Sequence, residues 1–139
     1  MGFPGANGEG FSLMSPGMGY ELRVERESPL AYAELAEAIA KAGFELRGSA
    51  EDGEIIARHG DTAHPVATWR GRLYGEPVSD WQVAQLARLS GTVGGRLVGE
   101  DGEVYMIRDG IVEQVSGDSR YEFGKLEEIL AAAPEQWSR

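Results

Sequence analysis

Apolar and polar residues begin to alternate at Tyr20. Tyr20, Leu22 and Val24 interleave with Glu21, Arg23 and Glu25, the period-two pattern of a half-buried strand. Ser28 and Pro29 then offer an N-cap and a first helical residue. Ala31, Leu35, Ala38, Ile39 and Ala42 follow at the spacing of one helix face, and Gly43 stands where a left-handed cap would end that helix. Residues 44–50 read as a strand, Glu51-Asp52-Gly53 as a turn, and 54–58 as the returning strand. His59-Gly60-Asp61 is a further break. Val66, Thr68 and Arg70 alternate with Ala67 and Trp69 in a strand over 65–70, and Gly71–Tyr74 either extends it or hairpins away.

A second helix has a fuller start signal. Ser79 followed by Gln82 fits a capping box, and Asp80 suits the positive end of the helix dipole. Val83, Leu86, Ala87 and Ser90 mark its inner face, and Gly91 is expected to end it. Residues 96–98 form a short strand. Asp101-Gly102 and Asp109-Gly110 are hairpin turns on either side of Val104–Arg108, and Ile111–Val115 completes a three-strand meander. A last helix is expected over 125–133, stopped by Pro134. The predicted order is β-α-β-β-β-α-β-β-β-α. It implies an α+β fold, a mostly antiparallel sheet of hairpins with two or three helices packed on one face. Strands and helices do not alternate as a doubly wound nucleotide fold requires.

Composition divides the chain. Six of the 20 glycines lie in residues 1–19 with one charge, Glu9, so 1–18 is expected to be a flexible glycine-rich segment before a single α+β domain over 19–139. With 13 basic and 23 acidic side chains the net charge is −10, which disfavours a nucleic-acid binder. The absence of cysteine excludes a disulfide framework and a thiolate metal site. No apolar run has the length of a membrane span and no signal peptide is evident, so the expected location is the cytoplasm.

The chemistry-bearing residues are few. His59, Asp61 and His64 are the weak candidates for a metal site, with no third ligand at a recognisable spacing beyond Asp61. The Gly91–Arg96 stretch follows a helix and precedes a strand, the reverse of a phosphate loop. No serine sits in a nucleophile elbow. Carboxylates gather at two turns, Glu51 and Asp52 in one and Glu100, Asp101 and Glu103 in the other. Such residues usually serve turn geometry and solubility; the functional alternative is an acidic surface that steers a basic partner. Arg70 and Arg72 beside Trp69 are the compact cationic and aromatic cluster, and Trp69 and Leu73 are the members expected in the core.

Two stretches carry a family resemblance. Met18-Gly19-Tyr20-Glu21-Leu22-Arg23-Val24-Glu25-Arg26 is one. The other runs from Trp69–Tyr74 through Val83–Ala87 to Leu97–Tyr105, ending in V-x-G-x-D-G-E-x-Y. Together they resemble a group of small, uncharacterised bacterial α+β proteins, similar to immunity-type or accessory proteins of bacterial competition systems. The chain after Tyr105 departs from that pattern. The resemblance implies a start of the folded unit near Met18 and brings no catalytic residue with it. The leading expectation is therefore a non-enzymatic, acidic protein-binding domain of immunity or accessory type, with no cofactor. It would bind through Glu51, Asp52, Glu100, Asp101, Glu103, Trp69, Arg70 and Arg72 to a protein of basic surface, or pair as a homodimer. The alternatives are a small-ligand or metal-dependent enzyme using His59, Asp61 and His64, and a structural component of a larger assembly.

Overall fold

The computed structural model describes residues 20–132. Along the chain lie β1 (Leu22–Glu25), α1 (Tyr32–Ala42), β2 (Glu45–Gly48), β3 (Gly53–His59), β4 (Thr62–Trp69) and β5 (Leu73–Gly75). They are followed by α2 (Asp80–Thr92), β6 (Arg96–Val98), β7 (Val104–Arg108), β8 (Ile111–Ser116), β9 (Ser119–Lys125) and α3 (Leu126–Ala131). The strands form one antiparallel sheet in the order β2-β3-β4-β5-β1-β6-β7-β8-β9. The first strand thus occupies the centre, between two four-stranded meanders, and α2 is the connection that carries the chain across it.

The registers sort the turns to two ends of the sheet. Leu22 pairs with Gly75 and Arg23 with Val98, so Tyr20, the β5 exit and the β6–β7 turn share one end. Gly53 pairs with Trp69, and Trp69 with Leu73, so the β2–β3 and β4–β5 turns share the other.

The central helix explains its own burial. Eight of its residues are buried, Gln85 and Ser90 among them, which is the mark of a helix enclosed on most sides. It touches β4 on one side of β1 and β6 and β7 on the other, and packs against both α1 and α3. Ser79 Oγ accepts from the Gln82 amide at 3.2 Å, and the Gln82 carboxamide returns to the Val78 N–H at 2.8 Å, so the expected capping interactions form, the second displaced by one residue. Arg88 stacks on Phe44 and donates to the Ala42 carbonyl, tying α2 to the end of α1. Leu22, Leu35, Ile39, Ile55, Leu86 and Leu97 fill the core between these layers.

Several expectations need correction. The first helix begins at Tyr32 with Ala31 as N-cap and no side-chain cap, not at Ser28 and Pro29; the Ser28 hydroxyl accepts from Arg26 and caps no helix amide. The second helix runs through Gly91 to Thr92; the left-handed position falls on Gly94, φ +75°, whose N–H reaches the Gly91 carbonyl. The chain turns at Gly71 and hairpins back as β5, Leu73–Gly75. A ninth strand, β9, extends the second meander by one, so the sheet has nine strands where seven were expected. The last helix is shorter than the expected span and starts at Leu126. The expected leader over 1–18, and Pro134, lie outside the described residues.

Candidate functional site

Glu103 enters β7 with its side chain on the same side as Tyr105, two residues on. It is 4% exposed. One carboxylate oxygen accepts from both the Tyr20 hydroxyl at 2.6 Å and the Tyr105 hydroxyl at 2.7 Å. The other accepts from the Asp101 amide at 3.1 Å. The Asp101 amide is shared with the Tyr20 oxygen at 3.2 Å, and Glu100 accepts from the Glu21 amide at 3.0 Å. The β6–β7 turn therefore clamps the start of β1, some eighty residues earlier in the chain.

Gly99 makes room for this arrangement. A Cβ there would lie 2.1 Å from a Glu103 carboxylate oxygen, so no residue with a side chain fits without displacing it. The Gly99 N–H also donates to the Glu103 carbonyl at 2.8 Å, closing the hairpin behind the carboxylate. Burial, and then the hydrogen bond to Glu103, push the Tyr20 hydroxyl well above the usual phenol range, and the same causes act on Tyr105. Both phenols are held as donors, so neither is a base or nucleophile near neutral pH. Among the described residues, no lysine, arginine or histidine forms an ion pair with Glu100, Asp101 or Glu103.

Beside the turn is a cleft of about 280 Å³ between the start of α2 and strands β7–β9. Tyr20, Tyr105, Tyr121 and Phe123 contribute its rings, with Leu22, Pro77, Val83 and Gln114 completing the wall. The register lines these up: Tyr105 pairs with Gln114, and Gln114 with Tyr121. Phe123 is the extra residue where β9 bulges against Val112 and Glu113. Tyr121 stands edge-on to Phe123 with centroids 5.0 Å apart and is 54% exposed.

The other predicted residues lie elsewhere. Glu51 and Asp52 are at the opposite end of the sheet, where Ser49 Oγ accepts from both their amides. Asp52 pairs with Arg70 at 3.2 Å, both side chains well exposed. Trp69 is buried and donates its indole N–H to the Ala50 carbonyl at 2.8 Å. Arg72 stacks on Tyr74 and pairs with Glu21 at 2.9 Å. His59 and His64 both pack against Trp81, with centroids 6.2 and 5.3 Å away, and the His59 ring nitrogen lies 3.4 Å from the Ala131 carbonyl. Among the described residues no group of three or more histidine or acidic side chains is arranged to hold a metal ion, so Asp61 does not join the two histidines.

Of the eight predicted contact residues, the structure brings Asp101 and Glu103 together, with Glu100 beside them, and pairs Asp52 with Arg70 at the other end of the sheet. It adds Tyr20, Tyr105, Gly99, Tyr121 and Phe123. Among the described residues no helix is long and apolar enough to cross a membrane. No family model, curated protein or solved structure matches this chain.

Proposed function

We propose that this protein is a non-enzymatic binding domain, of immunity or accessory type, acting in the cytoplasm, that docks a basic protein partner against the β6–β7 turn and the neighbouring cleft. The observation that carries the reading is the pair of exposed carboxylates Glu100 and Asp101, which have no cationic partner among the described residues and sit on the turn whose Tyr20 contact leads to the cleft walled by exposed Tyr121. Exposed uncompensated charge speeds encounter with a basic surface, and an aromatic anchor at its edge supplies contact area. The family resemblance of Leu97–Tyr105 centres on this same turn. We also infer that the three helices share one face of the sheet; the contacts of α2 with both α1 and α3 support it.

Deleting this gene alone, and together with each neighbouring gene, tests the immunity role. Loss of viability in the single deletion, restored when the partner gene is also removed, is the expected result. Indifference to the single deletion contradicts it. For docking, the partner so identified should lose affinity for Glu100→Gln/Asp101→Asn and for Tyr121→Ala. Unchanged affinity in both variants contradicts this surface.

A further inference from the structure

We propose that the cleft between α2 and strands β7–β9 is a cage for a quaternary ammonium group. Four aromatic rings line it, Tyr20, Tyr105, Tyr121 and Phe123. The faces of such rings are negative and attract cations, most effectively those that are weakly hydrated. Two of these rings are reinforced. Tyr20 and Tyr105 donate to the same oxygen of buried Glu103, at 2.6 and 2.7 Å. A phenol bonded to a carboxylate takes on part of the electron density of a phenolate, which makes its ring face more negative. Glu103 adds its own charge behind the wall, with no arginine, lysine or histidine paired to it among the described residues.

The remaining lining selects the kind of cation. Leu22, Pro77 and Val83 are apolar, and Gln114 supplies a single carboxamide. Buried Glu103 already accepts three hydrogen bonds, from Tyr20, Tyr105 and the Asp101 amide. A primary ammonium brings three N–H donors that need acceptors set around it, and this wall offers the Gln114 carboxamide and the tyrosine hydroxyl oxygens among otherwise aromatic and aliphatic groups. A trimethylammonium group brings none, so it loses little on leaving water. The volume of about 280 Å³ lies just below the usual range of ligand pockets, room for such a head group with a short substituent. Tyr121, edge-on to Phe123, is the exposed outer wall.

This inference goes beyond the docking surface and is tested apart from it. The full chain is titrated with choline and with 3,3-dimethylbutan-1-ol, the neutral carbon isostere, following ring signals by NMR and heat by calorimetry. The expected result is saturable one-to-one binding of choline, at least about tenfold tighter than the alcohol. Tyr121→Ala should weaken it at least about threefold with an unchanged melting temperature, since this side chain is largely outside the core. Nα-acetyl-trimethyllysine methylamide separates the two sources of the group. Tighter binding than choline assigns a methylated protein side chain, weaker binding a free small molecule, and either supports the cage. Equal binding of choline and the alcohol, or no saturable binding of either cation, overturns it. If that happens while the partner still depends on Glu100 and Asp101, the docking reading stands without the cage.

Discussion

The same tetrapeptide, Glu-Asp-Gly-Glu, occurs at 51–54 and at 100–103, and the two copies have opposite fates. In the first, the hairpin closes between Ser49 and Asp52, leaving a two-residue loop. Glu54 then lies opposite Arg47 and is exposed. In the second, the hairpin closes between Gly99 and Glu103, leaving a three-residue loop. The first hairpin closes at the second residue of the motif and the second at the fourth, so Glu103 is itself in the closing pair, with its side chain hydrogen-bonded to Tyr105 on the core side. Side chains alternate along each strand, and Glu54 falls between buried Gly53 and Ile55 on the solvent side, whereas Glu103 shares the side of buried Tyr105. Identical local sequence therefore gives a solvated turn at one end of the sheet and a buried acid–aromatic cluster at the other. Asp52 has an exposed arginine partner, whereas Asp101 has none among the described residues.

Substitutions at the two turns test that contrast. The largest effect is expected from Gly99→Ala, where the new Cβ and the Glu103 carboxylate cannot both keep their places; a loss of about 3 kcal/mol in denaturant unfolding is predicted. Gly53→Ala, whose Cβ would meet carbonyl oxygens at 3.2 Å, should cost less. Glu103→Gln keeps the shape but gives the two tyrosine hydroxyls a weaker, neutral acceptor, and should cost about 2 kcal/mol by the same measurement. Its counterpart Glu54→Gln should stay within about 0.5 kcal/mol, and equal effects at the two glutamates would erase the distinction.

Tyr105→Phe is the next smaller change, at about 1 kcal/mol near neutral pH. It also carries a signature in pH. The folded tyrosine holds its proton above the ordinary phenol value near 10, so the unfolded chain releases protons first. Stability is then fully present below about pH 10 and falls as the pH rises beyond it. Tyr105→Phe should flatten that fall, as chemical denaturation at pH 9, 10 and 11 would show. Asp52→Asn, at an exposed pair, should leave both stability and its pH dependence unchanged.

Much of this fold was legible in the alternation of residues. The antiparallel hairpins, the Ser79 cap and the end of the first helix at Gly43 follow from local rules, and the structure has them where those rules put them. β9 was missed because it is an exposed edge strand broken by the bulge at Phe123, so its apolar signal is short. The start of α1 is not where Ser28 and Pro29 suggest, since the helix takes Ala31 as its N-cap with no side-chain hydrogen bond. At the site, the acidic turn at Glu100–Glu103 could be seen, but its carboxylates look alike in composition. The alternation of Glu103 with Tyr105 was the signal that one of them points inward. Tyr20 had no such signal, since only the central placement of β1 beside β6 brings it across to the turn.

The central claim is that Glu103 and the two tyrosines form one buried, hydrogen-bonded unit. Spectrophotometric titration of the five tyrosines in the folded protein tests it most directly. The account predicts that two of them, Tyr20 and Tyr105, remain protonated until the chain unfolds in alkali, in the native sequence and in Asp52→Asn alike. Ionisation of all five while the protein is still folded would contradict it.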